Sequence, residues 1–308
     1  MRYGKTEGVE SGALKSNIYG KQIISESAMQ EIKKYYGFDK PFFERYYLWL
    51  KNILVFDFGK SYVFDEPVMD VIISRLPVSV FFGFIGFLLS YIICVPLGIM
   101  KAVKNGSKFD ILSSFFIIIG YSCPGWALGS LLLMISGGKI FPLGDFRSAE
   151  FIGKGFFFDI FPSSFPMLID QLHHTLLPIT AYLIGSFATL TILTKSSVLE
   201  NIKKEYVTTA YAKGLDKKSV LYKHVLRNSM IPLATGLGHF LSLIFAGSFL
   251  IEKVFNINGM GLLGYTALIK KDYTLTLGIL VISSFLLLIG NIISDFLYKL
   301  IDPRIEFN

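Results

Sequence analysis

Five stretches of this chain, near 78–100, 111–136, 175–194, 231–252 and 274–297, stay apolar over lengths that cross a membrane. About 20 helical residues at about 1.5 Å each span about 30 Å of hydrocarbon. In lipid every backbone amide and carbonyl must be paired within its own segment, so open-ended spans are helices. The expected fold class is therefore all-α: a polytopic helical membrane protein with five transmembrane helices in this chain. Apolar residues make up 52% of the chain and charged residues only 17%, and the mean hydropathy is +0.54, which excludes an ordinary soluble globule.

The connecting segments divide by charge. Loop 101–110 (KAVKNGSKFD) is short and holds Lys101, Lys104 and Lys108, which places it on the cytoplasmic side. Loop 195–230 and the tail after 298 fall on the same side. Loops 137–174 and 253–273 then lie outside, as does a polar segment, 1–77, that has no secretory apolar core in its first 20 residues. Two parts follow: an extracytoplasmic helical segment 1–77 and a transmembrane domain 78–308. The net charge of +7 is explained by positive-inside topology, and no nucleic-acid partner is expected.

Chemistry is hard to place on this chain. Gly259, Gly261 and Gly264 suggest a phosphate cradle, but no Gly-Lys-Ser/Thr follows and no strand precedes. His173-His174 has no Cys or carboxylate at ligand spacing, so interfacial hydrogen bonding is preferred to a metal. No catalytic residue, metal or cofactor is expected. Ionisable groups within the spans are few: Glu252 and Asp295 sit near ends, and His239 lies inside one. A proton- or ion-coupled carrier normally needs an intramembrane carboxylate, so the energy must come from elsewhere. Pro96 and Pro124-Gly125 interrupt two spans, and each is read as a kink, through helix packing or along a water-accessible pathway.

The most patterned stretch is Lys195 to Pro232, with eight basic residues against three acidic ones. Tyr206, Val207, Ala210 and Tyr211 recur at helical spacing. Gly214 can take the left-handed conformation that ends this helix, and Asp216 can cap a second one with Val220, Leu221 and Val225 as its stripe. A loop folded as helix, glycine, helix has a face to offer a soluble partner.

Residues Glu205, Tyr206, Val207, Thr209, Ala210, Ala212, Lys213, Gly214, Leu215, His224, Arg227, Asn228, Ile231 and Pro232 match, at fixed spacing, a cytoplasmic loop pattern. The pattern is that of the permease subunits of binding-protein-dependent ABC importers, and the chain resembles their dipeptide/oligopeptide branch. YGFDKP (Tyr36 to Pro41), DFGKS (Asp57 to Ser61) and SRLPVS (Ser74 to Ser79) resemble the same family's extracytoplasmic region. The resemblance implies a type I ABC importer permease fold in the bacterial inner (plasma) membrane, in contact with membrane lipid. It also implies a second permease subunit forming a heterodimer, an ABC ATPase subunit that receives the coupling loop, and a periplasmic peptide-binding protein. The implied cargo is oligopeptides or peptide-like compounds. Within the branch, residues 34–79, Gly185 to Glu200 and Asp302 to Phe307 look most like one of the two permeases of the microcin C/oligopeptide importer. The family has six membrane helices, and the first has no counterpart ahead of Met1. Either the start is placed too late, or the chain is a truncated, transport-incompetent permease fragment, which stands as the alternative function.

Overall fold

A computed structural model describes residues 41–156, 159–234 and 247–301. The chain divides into two units, Met1–Asp57 and Phe58–Asn308. Of the first unit, the described part is one helix, α1 (Phe42–Leu54), none of whose residues is buried.

The second unit is helical, with no strand among the described residues beyond isolated bridges. Helix α2 (Val68–Val103) begins ten residues before the apolar stretch and runs on through both Pro77 and Pro96. Pro96 therefore does not break its span. Four residues separate α2 from α3 (Lys108–Ser122), which Ser107 caps: its hydroxyl accepts from the Asp110 amide at 3.3 Å.

Pro124, by contrast, ends a helix. The residue before a proline is pushed out of the helical region, and Cys123 is extended, with φ −97° and ψ 116°. Pro124 then opens α4 (Gly125–Ser136), and the axes of α3 and α4 meet at 91°. After a loop with a short 3-10 turn (Ala149–Phe151), α5 (Phe165–Ile202) extends well beyond its apolar stretch at both ends. The remaining described helices are α6 (Glu205–Ala212), α7 (Lys217–Ser219), α8 (Leu226–Ser229), α9 (Phe249–Val254), α10 (Met260–Ile269) and α11 (Tyr273–Ile301).

Three clusters are strung along α2. At its start, Val68, Val71 and Ile72 pack with Met260, Leu263 and Ala267 of α10 and Leu275 of α11. Midway, Phe82 joins Leu177, Ile179 and Ala181 of α5 and Ile251, Phe255 and Ile257. At its end, Ala102 meets Val198 of α5, Val207 and Ala210 of α6, and Val220 and Val225. Between the last two, Gly98 lets α2 and α5 approach closely: a Cβ there would sit 2.6 Å from Thr194 Cβ and 2.8 Å from the Thr191 carbonyl oxygen.

Among the described residues three helices are long and apolar enough to cross a membrane, α2, α5 and α11, or four if the bent pair α3–α4 counts as one span. The expected five are not all accounted for. The stretch near 231–252 falls largely on 235–246, outside the described residues, as does His239. Helix α10, with ten residues, is too short to span. The basic turn 104–107 and the loop 203–230 share one end of this unit through Ala102 and Val207. Loops 58–67, 137–164 and 255–272 share the other, where Ser61 Oγ donates to Asp272 at 2.6 Å and the Asp145 amide to the Phe255 carbonyl at 2.9 Å.

Candidate functional site

The loop 203–230 folds into a helical hairpin. Helix α6 ends as Lys213 N–H donates to the Thr209 carbonyl and Gly214 N–H to the Tyr211 carbonyl. Gly214 has φ +81°, a conformation that residues with a Cβ rarely adopt. Asp216 then caps α7: its Oδ2 accepts from the Lys218 and Ser219 amides at 3.1 and 3.3 Å. Hydrogen bonds from Ser219, side chain and amide, and from the Lys218 amide hold the Asp216 carboxyl below its ordinary range.

The return helix is not a plain α-helix. Val220–Val225 forms a π turn leading straight into α8. A π turn puts residues five apart on one face, so Val220 and Val225 are both buried, at 0% and 1% exposure. Burial of a valine side chain is worth roughly 1.5–3 kcal/mol. With Val207 and Val198 also buried, this apolar seam suffices to seat the hairpin on α2 and α5. Two polar contacts reinforce it: Ser197 Oγ donates to the Ser229 carbonyl at 2.9 Å, and Tyr206 Oη to Asn201 Oδ1 at 2.9 Å.

The hairpin tip faces outward. Every residue from Tyr211 to Lys218 is exposed, including Ala212, Lys213, Gly214 and Leu215. Glu205, Thr209, Tyr222, Lys223, Arg227 and Pro232 are exposed as well, whereas Tyr206, His224 and Asn228 are partly covered and Ala210 is buried. The singled-out loop residues thus form one structure, with a basic outer surface carrying Tyr211, Leu215 and Tyr222. Pro96, Pro124 and Gly125 are not brought to it. Pro96 is exposed on α2, and Gly125 lies against the Ala181 backbone, where a Cβ would overlap the carbonyl.

Beneath the hairpin lies a cluster that loop charge alone did not reveal. Asp110, at the start of α3, receives Lys195 Nζ of α5 at 2.8 and 2.7 Å on its two oxygens. Lys101 Nζ of α2 lies 3.0 Å from Asp110 Oδ1 and within 2.7–2.8 Å of the Asp110 carbonyl, Ser113 Oγ and Ser114 Oγ. The Gly106 amide adds a bond to Asp110 Oδ2 at 3.1 Å. The Lys101 and Asp110 side chains are only 2% and 7% exposed. Three helices therefore meet on one carboxylate at the root of the hairpin. The available sequence signal was a lone acid, Asp110, in a turn otherwise basic.

Elsewhere, His174 Nδ1 lies 2.8 Å from the Gly144 carbonyl and its Nε2 3.2 Å from Ser148 Oγ and 3.6 Å from Asp170 Oδ1, so a carboxylate does stand at helical spacing from the pair, while His173 bonds the Ile140 carbonyl. No group of three or more metal-ligating side chains occurs among the described residues. Gly259 and Gly261 flank the start of α10 beside Glu252, whose Oε2 accepts from the Leu262 amide at 2.6 Å and whose Oε1 accepts from the Ser248 and Gly261 amides at 3.1 and 3.3 Å. A carboxylate fills the place where an anion cradle would need room.

Long apolar helices, a bent helix pair and an outward basic hairpin seated on their ends describe a membrane-spanning protein with a polar face at one end. The family described as binding-protein-dependent transport system inner membrane component matches residues 94–307. The chain belongs to that family: it is a multi-pass inner-membrane permease subunit of an ABC importer, of the peptide type, and not an enzyme. It is 43% identical over 297 residues to the inner membrane ABC transporter permease protein YejB of Escherichia coli O157:H7, covering 95% of this chain and 79% of that protein. It is 41% identical over 303 residues to the peptidoglycan transport system permease protein YejB of Agrobacterium fabrum, covering 97% and 80%. The oligopeptide transport system permease protein AppB of Bacillus subtilis is 32% identical over 287 residues, covering 92% and 87%. These alignments lend no support to the transport-incompetent fragment.

Proposed function

We propose that the chain forms one half of a membrane passage for oligopeptides or peptide-like compounds, paired with a second permease subunit and driven by a partner ABC ATPase. The observation that carries this reading is the hairpin: exposed and basic at Tyr211–Lys218, yet seated on α2 and α5 by the Val207–Val220–Val225 seam. The ATPase receives the tip, in a groove that accepts Tyr211, Leu215 and Tyr222 and offers acidic groups to the lysines. ATP-driven closure of that partner displaces the hairpin, and the seam with the Asp110 cluster passes the displacement to three helices at once. The membrane helices then rock between inward- and outward-open arrangements, with the bend at Pro124–Gly125 along the passage. A peptide-loaded binding protein docks on the opposite end, where the segment ending near residue 77 and loops 137–174 and 253–273 lie outside.

Cargo of the microcin C type rests on the likeness of residues 34–79, 185–200 and 302–307 to that importer. One relative's name assigns it to oligopeptide transport and another's to peptidoglycan transport, and peptide-bearing cargo is common to both.

The test is Gly214→Asp. A side chain at φ +81° strains the hinge, and its charge opposes the acidic groove. Expected are an undiminished amount in the membrane, continued ATP hydrolysis and at least about a tenfold loss of peptide uptake, equivalent to about 1.4 kcal/mol of coupling. Normal uptake would refute the role of the hairpin.

A further inference from the structure

Helix α1 has one face that no described residue of its own unit covers. With 13 residues it is about 20 Å long at about 1.5 Å per residue, too short to cross a bilayer. Most of its residues sort by chemistry around the helix, with Leu48 the exception on the polar side. Phe42, Phe43, Tyr46, Trp49, Leu50, Ile53 and Leu54 follow one another at helical spacing along one arc. Glu44, Arg45, Lys51 and Asn52 occupy the opposite arc. Phe42, Phe43 and Leu54 are 64%, 82% and 73% exposed, and Trp49 is 41% exposed. Comparable exposure is found on α2, a membrane-crossing helix, at Phe84 (48%) and Ile92 (57%).

We propose that α1 is a membrane-surface helix, lying in the headgroup region of the bilayer leaflet on the side where α2 begins, with its aromatic arc turned into the phospholipid. Three observations select lipid as the occupant. The apolar arc is unbroken by charge and holds Trp and Tyr, side chains stable at the hydrocarbon boundary with an apolar body and a polar tip. Arg45 and Lys51 stand on the opposite arc against a single acid, Glu44, leaving one net positive charge towards the phosphates. Only residues 55–67 separate the helix from the first residue of α2, so at full extension the chain keeps it within about 45 Å of Val68. The inference requires the bilayer, and it stands whether or not the hairpin couples to an ATPase.

Tryptophan fluorescence of the full chain reconstituted in phosphatidylethanolamine–phosphatidylglycerol vesicles tests it. The sequence has two tryptophans, so Trp126→Phe leaves Trp49 as the sole reporter. The difference between wild type and Trp49→Phe supplies the same signal where Trp126→Phe fails to fold. Expected are blue-shifted Trp49 emission, weak quenching by aqueous acrylamide, and stronger quenching by lipids brominated near the headgroup end of the acyl chain than near its methyl end. Strong acrylamide quenching without lipid quenching would place the helix in water and overturn the proposal. Quenching by neither would mean that protein covers the arc, and would overturn it equally. Peptide uptake by Gly214→Asp is read separately, so the two inferences fail independently.

Discussion

At the hairpin end of the second unit, Asp110 is met by ammonium groups: Lys195 and Lys101 arrive from two other helices, 85 and 9 residues away in sequence. At the opposite end, Glu252 and Asp272 are met by neutral donors. Glu252 takes the amides of Ser248, Gly261 and Leu262, and Asp272 takes the Ser61 hydroxyl and the amides of Val63 and Leu275. These carboxylates fix backbone: Glu252 holds the start of α10, and Asp272 holds the turn before α11 together with the loop at Ser61–Val63. The ammonium-held carboxylate ties long helices to one another. Asp110 thus holds helices to one another, while Glu252 and Asp272 hold the backbone of turns and loops in place.

The largest effect that would break this contrast is expected from Asp110→Asn. It leaves the buried Lys101 ammonium without its counter-charge, a loss of about 3–5 kcal/mol for a broken buried pair. Thermal unfolding in detergent should show it, with a smaller shift for Lys195→Met, because the Lys195 side chain is 20% exposed. Equal shifts would mean that the buried Lys101 pair adds nothing beyond the Lys195 pair. Next in size is Glu252→Gln, expected to cost about 1–3 kcal/mol: one amide oxygen keeps accepting while the new NH2 faces backbone donors. A cost above that of Asp110→Asn would erase the distinction.

The smallest effect is one of acidity. Burial alone would raise the Asp272 carboxyl, but hydrogen bonds from Ser61, Val63, Leu275 and Thr274 outweigh it and hold the group below its ordinary range. A carboxylate depressed by folding contributes its stabilisation in full above the unfolded value of about 4, and loses it as pH falls through the lower folded value. The melting temperature should therefore decline from about pH 4 downward, and Asp272→Asn should flatten that decline. An unchanged acid limb in the variant would remove Asp272 from the account.

Much of the hairpin was legible because its determinants are local. A helix stop at Gly214 and a cap at Asp216 depend on neighbours within three residues. The turn at Pro124 was legible for the same reason. Pro96 does not interrupt α2, which runs on through it to a close approach with α5 at Gly98. The ends of α2 and α5 were not legible: hydropathy reports where a helix is apolar, and both continue as polar helix beyond that limit. The Asp110 cluster was hidden because its members, each an ordinary loop charge, meet only after α2, α3 and α5 have packed. The π turn was half visible, since Val220 and Val225 were both assigned to the stripe although five residues apart.

Helix α5 carries one consequence in mechanical terms. It is a single rod of 38 residues, and Pro178 within it is flanked by Leu177 and Ile179, both gripped in the central cluster with Phe82 and Phe255. That grip is a natural fulcrum, dividing the rod into arms of about 20 Å towards Phe165 and about 36 Å towards Ile202 at about 1.5 Å per residue. In the proposed coupling, a stroke delivered at the hairpin end would arrive at the far end shortened by nearly half and strengthened in proportion. The long arm belongs to the hairpin end, and the short one to the end where, in the proposed reading, a binding protein hands over its cargo.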